Sequence, residues 1–405
     1  MHIVLVTHYY PPEVNAPAQR ASDHARVWVD NGHDVTIVTA QPSHPYGRVY
    51  DGFSNVTEET RHEGIRVLRL KTKLGANAGT VGRTLNYASF YAAARANAGR
   101  IGKADVVIST SPQFFCGLAG RGISRACKAK WILEIRDIWP ESIIAVGAAK
   151  PSLATQALTG MADRAYRDCD KIVSVSPGFA AHFNNRGVPS GKVALVPNGI
   201  HTDTEPRAGT LDDFPKLARL RGRYLAAYVG TFGMAHGLST VLDAAQCLKD
   251  NPHIGIILAG SGAERDRIAS RIVDDALENV VLLDQLSREA VNKLWSLVDA
   301  SLVHLKRQDV FRTVIPTKLL EGMAMAKPIA LGVEGVAADI LQAAGGGRAF
   351  PPEDPGALAD VLTSFAADTE MSVAMGQSGQ SYVRREFDRR AMALRYLDLV
   401  ADVVA

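Results

Sequence analysis

Short, continuously apolar runs alternate along the chain with longer stretches in which apolar positions recur every three or four residues. In the first half, "HIVLVT", "DVTIVTA", "ADVVIST", "KWILEI" and "KIVSVS" read as strands, and "QRASDHARVWVDNG" reads as a helix closed by Gly32. Apolar strands separated by helices predict a parallel sheet covered on both faces. The second half repeats this scheme without repeating the sequence. "LAAYVG", "IGIILAG", "NVVLLD", "ASLVHL", "PIALGV" and "GRAF" are its strand candidates, with "STVLDAAQCLKD" and "REAVNKLWSLV" as amphipathic helices. The Pro- and Gly-rich "GVPSGKVALVPNGIHTDTEPRAG" predicts a hinge, after which the acidic "DDFPKL" opens the second domain at the surface. The closing "FDRRAMALRYLDLVADVV" is an amphipathic helix with no strand to follow, and it is expected to pack back across the first domain.

A length of 405 residues exceeds one ordinary core. The expected division is 1–200, 201–385 and a terminal helix over 386–405. Two doubly wound α/β sheets joined by a hinge predict a cleft, with ligands beyond the carboxyl ends of the strands. The four cysteines, Cys116, Cys127, Cys169 and Cys247, stand far apart without CxxC spacing, which favours small buried residues in a reducing cytoplasm over structural zinc. The N-terminal apolar run is too short for a signal peptide, and no stretch approaches the ~20 apolar residues of a membrane span, so a cytoplasmic location is expected.

Charge divides unevenly: residues 1–192 hold 23 Lys+Arg against 15 Asp+Glu, and residues 193–405 hold 22 against 27. Basic side chains concentrate at Arg61, Arg66, Arg69, Lys71 and Lys73, and again at Arg121, Arg125, Lys128 and Lys130, with Leu68, Leu70, Leu74 and Trp131 interleaved. Two readings stand: a solvated basic face, or contact with anionic lipid headgroups. Nucleic acid is disfavoured, because no aromatic stacking platform accompanies the charge.

Candidate chemistry gathers after the strands. "YVGTFGMAHGL" sets Gly230, Thr231, Gly233 and Gly237 at a strand-to-helix turn, and "AGSGAE" sets Gly260 and Gly262 at the next. Such turns let backbone amides approach a phosphate. The spacing matches neither the dinucleotide fingerprint nor the P-loop. In "FRTVIPTKLLEGMAMAKPI", Pro316 suits a helix start and Leu319, Leu320, Met323 and Met325 supply its apolar face. Lys318 therefore falls near the positive end of the dipole, where a cation is tolerable if an anion shares the site. Lys306 and Lys318 flank this loop as point charges suited to a pyrophosphate. Glu321 is either an i,i+3 partner of Lys318, in the less favourable order, or a ligand of sugar hydroxyls. In the first half Asn15, Pro17 and Arg20 follow strand one, and "EIRDIWPES" brings Arg136, Asp137, Trp139 and Glu141 to a strand end as candidate acceptor contacts or as plain solvent-facing caps.

Taken together, "YYPPEVNAPAQR", "NGHDVTIVTA", "SVSPGF", "VPNGI", "YVGTFGMAHGL", "AGSGAE" and "PTKLLEGMAMAKPI" resemble a GT-B glycosyltransferase of family 4, the large retaining class that uses nucleotide sugars. "EIRDIWPES" with "FRTVIPTKLLEGMAMAKPI" is similar to the subgroup of N-acetyl-L-fucosamine transferases of O-antigen and capsule assembly. The resemblance implies two Rossmann-like domains facing a cleft. It assigns Gly230, Thr231 and Gly233 to the diphosphate, Gly260 and Gly262 to the nucleotide border, and Asp284, Gln285 and Leu286 to the base. It makes Lys306, Thr317 and Lys318 phosphate contacts, Glu321 the ribose ligand, and Arg136 and Asp137 acceptor-side or sugar-contacting groups. Asn15, Arg20, Glu141, Arg312 and Thr313 complete the substrate set. Three departures stand out: Thr313 replaces a usual glutamate, Met234-Ala235-His236-Gly237 lacks a usual Arg/Lys pair, and Asn15-Ala16-Pro17 replaces a glycine pair.

The expected reaction moves an N-acetylated or deoxy hexose, with retention, from a UDP-sugar donor to a lipid-linked saccharide acceptor at the inner membrane face. No cofactor or metal is expected, since no DxD motif stands at a suitable strand end and fixed amides plus lysines can stabilise the leaving diphosphate. A nucleotide-sugar epimerase of the same fold and a non-catalytic sugar-nucleotide-binding protein are the alternatives.

Overall fold

The computed structural model describes residues 1–44, 47–75, 80–111, 114–145, 150–202 and 206–405. They form two compact units, Met1–Gly199 with Arg389–Ala405, and Ile200–Asp388. Residues 203–205 of the expected hinge lie outside the described residues.

The first unit runs β1 (His2–Val6), α1 (Ala16–Asp30), β2 (Asp34–Ala40), β3 (Glu58–His62), β4 (Ile65–Leu70), α2 (Thr80–Ala96), β5 (Val106–Ser111), α3 (Phe114–Cys127), β6 (Lys130–Ile135), α4 (Glu141–Ala145), α5 (Leu153–Asp168), β7 (Lys171–Ser174), α6 (Ala180–Asn185) and β8 (Val193–Leu195). Its strands lie in the order β3-β4-β2-β1-β5-β6-β7-β8, parallel except for the β3–β4 hairpin at the edge. The order reverses between β1 and β5, so the carboxyl ends of those strands define the place where such a sheet binds ligands. α1 begins where Asn15, in extended conformation, accepts a hydrogen bond from the Ala18 amide at 2.9 Å, and Pro17 fits the first turn behind it.

The hairpin corrects the reading of the basic stretch. "IRVLRL" is strand β4: Leu68 and Leu70 belong to the core, Arg66 pairs with Glu59 at 2.7 Å, and the buried Arg69 donates to the Pro11 carbonyl at 2.6 Å beneath the Phe53 ring. Trp131 is likewise buried, with its Nε1 donating to Ser109. These apolar residues therefore form no part of a surface patch. β8 also lies inside the segment expected to be hinge.

The second unit runs β9 (Tyr224–Val229), α7 (Ser239–Cys247), β10 (Ile254–Ala259), α8 (Arg265–Asp274), β11 (Val280–Leu283), α9 (Arg288–Leu297), β12 (Ala300–His304), α10 (Thr317–Ala324), β13 (Ile329–Gly332), α11 (Val336–Ala344), β14 (Gly347–Ala349), α12 (Pro355–Ala367) and α13 (Thr369–Glu386). Its strands lie in the order β11-β10-β9-β12-β13-β14, all parallel, with the reversal between β9 and β12. Each strand is apolar along nearly its whole length because helices cover both faces. The "DDFPKL" segment forms short 3₁₀ turns in which Asp213 pairs with Lys293 of α9 at 2.8 Å.

The last helix, α14 (Arg389–Val404), belongs to the first unit. Met392, Tyr396, Leu397 and Val400 enter the core beside Ala21, Ala25 and Trp28 of α1, and Trp28 Nε1 donates to the Ala393 carbonyl at 3.0 Å. Arg389 fixes the start of the helix through Asp23 at 2.6 Å and the Gly199 carbonyl at 2.9 Å.

Three histidines, His8, His24 and His304, are buried to 4%, 2% and 1% exposure. Burial lowers all three pKa values, that of His8 to about 4. The unfolded chain takes up protons near pH ~6.5 that the native imidazoles refuse, so their stabilisation is present above that pH and lost as the pH falls. Asp137 acts in the opposite sense, because burial raises its pKa to about 6. Burial raises the pKa values of Glu13 and Asp299 as well, but it also lowers those of His44, His182 and His236, so the carboxyls offset only part of the histidine effect, each imidazole contributing up to ~1.4 kcal/mol per pH unit within its window. The thermal midpoint should therefore drop measurably between pH 7 and pH 5. An equal midpoint at both pH values would contradict this assignment.

Candidate functional site

In the second unit, the loops after β9 and β12 meet at the strand-order reversal. Gly230 follows β9 with a φ of 136°, and a Cβ there would lie 2.5 Å from Lys318 Cε and 3.0 Å from its Nζ. Only glycine lets the lysine run alongside the turn. The Lys318 Nζ sits 5.2 Å from the centroid of the Tyr228 ring, and Tyr228 in turn donates its hydroxyl to the Thr231 carbonyl at 2.8 Å. A ring face attracts the ammonium and fixes its position. Burial lowers the Lys318 pKa and Glu321, one turn along the helix, opposes the shift. α10 starts at Thr317 with Pro316 as its cap residue, whose side chain takes up none of the first amides. Leu319, Leu320 and Met323 anchor the helix in the core. The result is a desolvated cation beside a glycine turn at a helix start, groups whose chemistry suits an anion such as a phosphate.

Gly260 and Gly262 have a structural reason of their own. A Cβ on Gly260 would approach the Gly230 carbonyl oxygen to 1.9 Å, and one on Gly262 would approach the Phe232 carbonyl to 2.5 Å. The two turns are stitched together by Phe232 N–H to Ser261 O at 2.8 Å and Glu264 N–H to Phe232 O at 3.0 Å. Their glycines thus build the platform on which the Gly230 loop rests.

His304, which the strand pattern alone did not mark, holds the other side of that loop. The Glu353 amide donates to His304 Nε2 at 3.0 Å, so Nε2 carries no proton and Nδ1 donates to the His236 carbonyl at 2.8 Å. Lys306 adds its amide to the Ala235 carbonyl at 2.9 Å, and its side chain passes the Gly237 turn. The 233–237 turn is thus held at Ala235 and His236.

The remaining second-unit candidates lie around this centre. Asp284 and Gln285 are exposed after β11, with Asp284 paired to Arg265, while Leu286 packs partly into the core. Arg312 is exposed and 3.7 Å from Glu334. Thr313 donates its hydroxyl to the Val310 carbonyl at 2.6 Å and closes the short turn that precedes α10.

In the first unit, Arg136 and Asp137 follow β6. Burial lowers the Arg136 pKa to about 10, and its Nε is enclosed without a hydrogen-bond partner, as are Asn15 Nδ2 and Asn198 Oδ1 at neighbouring loops. Asp137 lines a cavity of about 20 Å³ with Trp139, Phe114 and Tyr166, room for a single water. The other three first-unit candidates are engaged in holding the fold. Arg20 donates to Glu134 at 2.9 Å and to the Pro197 and Val196 carbonyls at 2.8 and 3.1 Å. Asn15 caps α1, and Glu141 pairs with Arg186, which also meets Asp163 at 3.1 Å.

Two family models match in sequence order: the glycosyl transferase 4-like domain over residues 15–199 and the glycosyl transferases group 1 domain over residues 210–382. WcaI of Escherichia coli (strain K12), named as a colanic acid biosynthesis glycosyl transferase, is 24% identical over 338 residues, 80% of this chain and 81% of its own length. Among solved structures, the sucrose-phosphate synthase tll1590 from Thermosynechococcus elongatus superposes with a TM-score of 0.78 at 17% identity, covering 99% of this chain and 98% of the other. Anabaena Alr3699/HepE, solved in complex with UDP, superposes with a TM-score of 0.70 at 15% identity, covering 99% and 100%. With both domain models matched over nearly the whole chain, on the doubly wound architecture these structures share, the chain belongs to the GT-B glycosyltransferases.

Proposed function

We propose that this glycosyltransferase moves an N-acetylated or deoxy hexose from a UDP-sugar to a lipid-linked saccharide during assembly of a bacterial surface polysaccharide, with retention at the anomeric carbon. The observation that carries the reading is the Lys318 ammonium, desolvated beside Gly230 and over Tyr228 at the β9/β12 reversal. Two comparisons support it: a relative named for colanic acid biosynthesis and a neighbour of the same fold solved with UDP.

In this reading the bond from the sugar C1 to the phosphate oxygen breaks with its electron pair leaving on UDP. Lys318, Lys306, Thr317 and the amides of the Gly230–Gly233 loop stabilise that charge. The acceptor hydroxyl attacks C1 from the face the diphosphate leaves, and its proton passes to the departing phosphate oxygen, so no enzymic nucleophile is required. Glu321 holds the ribose hydroxyls, and residues 284–286 edge the base. Arg136 and Asp137 serve the acceptor side. No helix of the described residues is long and apolar enough to cross a membrane, and the proposed location is peripheral, at the inner face.

UDP should raise the thermal midpoint more than GDP or ADP, because a ligand bound only by the folded state stabilises it. Glu321→Ala should abolish most of that shift and raise the donor KM. A stronger response to GDP or ADP would overturn the uridine assignment.

A further inference from the structure

A groove of about 270 Å³ lies in the first unit between α2, α3 and α5. Four arginines line it: Arg95 from α2, Arg121 and Arg125 from α3, and Arg164 from α5. Among the described residues of its lining there is no carboxylate. Asp168, just outside, is shared by Arg121 and by Arg164 at 3.9 Å, while Arg95 lies along Tyr91 with its guanidinium 5.6 Å from the ring centroid. Arg121 Nε is buried without a partner. One carboxylate cannot neutralise four guanidinium groups, and a guanidinium fork matches phosphate oxygens.

The flanks of the groove say where those oxygens come from. On α5, Leu153 and Met161 are 83% and 41% exposed, and Ala157 between them is exposed too. At 3.6 residues per turn these three and Arg164 fall within about 80° of one another. α2 repeats the arrangement with Leu85, 44% exposed, then Ala92 and Arg95. A free phosphate has no use for apolar stripes that lead into the groove. A bilayer surface does, since arginines meet its headgroups while the apolar side chains enter the acyl boundary.

We propose that the α2/α3/α5 groove binds the phosphates of anionic phospholipid headgroups and seats the first unit on the membrane. Its use in presenting a lipid-linked acceptor rests on the functional reading above, whereas headgroup binding does not. The site differs from the basic surface read from the sequence: Arg66 is committed to Glu59 of β3 and Arg69 to the Pro11 carbonyl, and only Arg121 and Arg125 are shared.

Co-sedimentation tests this with the full chain and vesicles of phosphatidylcholine, with or without phosphatidylglycerol. The chain should bind only the phosphatidylglycerol vesicles, and less as salt rises. Each arginine near such a surface is worth roughly fivefold, so Arg125→Ala with Arg164→Ala should weaken binding about 25-fold. Lys71→Ala with Lys73→Ala, outside the groove, should leave it nearly unchanged, and Leu153→Ser with Met161→Ser, which removes apolar surface without adding charge, should weaken vesicle binding without changing affinity for inorganic pyrophosphate. UDP-induced thermal shifts should be the same in all variants, which shows that each is folded. Equal losses from the lysine and arginine pairs would reduce the effect to bulk charge and overturn the groove. Pyrophosphate binding without vesicle binding would overturn it as well. If the chain binds vesicles but transfers nothing to lipid-linked acceptors, the acceptor reading fails and the headgroup site stands.

Discussion

Lys318→Ala should lower kcat at saturating donor by ~10²-fold or more, the scale on which loss of one fixed charge at a developing oxyanion is felt. The alternative role, an i,i+3 partner of Glu321, is worth at most ~0.5 kcal/mol and would leave kcat almost untouched. The structure adds a reason for the larger figure. The ammonium is held beside Gly230 and over the Tyr228 ring, and burial disfavours its charge until an anion arrives. Removing it should leave stability unchanged or slightly higher, since a desolvated cation is lost along with its stem. Lys318→Arg should not restore full turnover, because the fork is wider than the space beside Gly230. Single-turnover kinetics with UDP-sugar decides the matter. A rate within a few-fold of the parent would remove Lys318 from the mechanism.

The second large effect concerns folding. Arg20→Ala should destabilise the first unit by about 3–5 kcal/mol, because it leaves the Glu134 carboxylate enclosed without its main counter-charge. Burial by itself works against that charge, yet Arg20 and Arg136, with hydrogen bonds from Arg20 and Thr110, outweigh it and hold the Glu134 pKa below the usual range. The same arginine clasps the Val196 and Pro197 carbonyls, so the loop leaving β8 should loosen too. Arg20→Met combined with Glu134→Leu should recover part of the loss: it removes the buried unpaired carboxylate, but it also takes from Arg136 the carboxylate that offsets that residue's burial. Chemical denaturation of the three proteins checks both statements. A double variant no more stable than Arg20→Ala would mean that the carbonyl contacts dominate.

These two residues differ in how far their surroundings follow from neighbouring sequence. Lys318 announced itself through local chemistry: a cation at a helix start asks for an anion, and helix position follows from neighbouring residues. Arg20 sits on a helix as well, but its partners lie 114 and 177 residues further along the chain, a pairing no local pattern carries. The same holds for Glu141, expected to meet substrate and found with Arg186, and for Arg69, read as surface and found in the core. In "IRVLRL" the arginines interrupt the apolar run that marks a strand, so its place as β4 is not legible locally. Arg69 is buried because the Pro11 carbonyl and the rings of Tyr10 and Phe53 cover it, while Arg66 stays partly exposed against Glu59 of the edge strand β3.

Most strands of both units, the amphipathic last helix and the placing of glycines and lysines in the segments after β9 and β12 were set by the sequence itself, whereas β3, β4 and β8 were not. Periodicity, turn residues and helix-end chemistry act over a few residues and can be read there. What only the tertiary structure decided is which distant groups meet. The β9/β12 reversal brings Gly230, Lys306 and Lys318 together, His304 acquires its tautomer from Glu353 and His236, and three helices bring four arginines around one groove. Each depends on strand order and helix packing, which are settled by burial of the whole core.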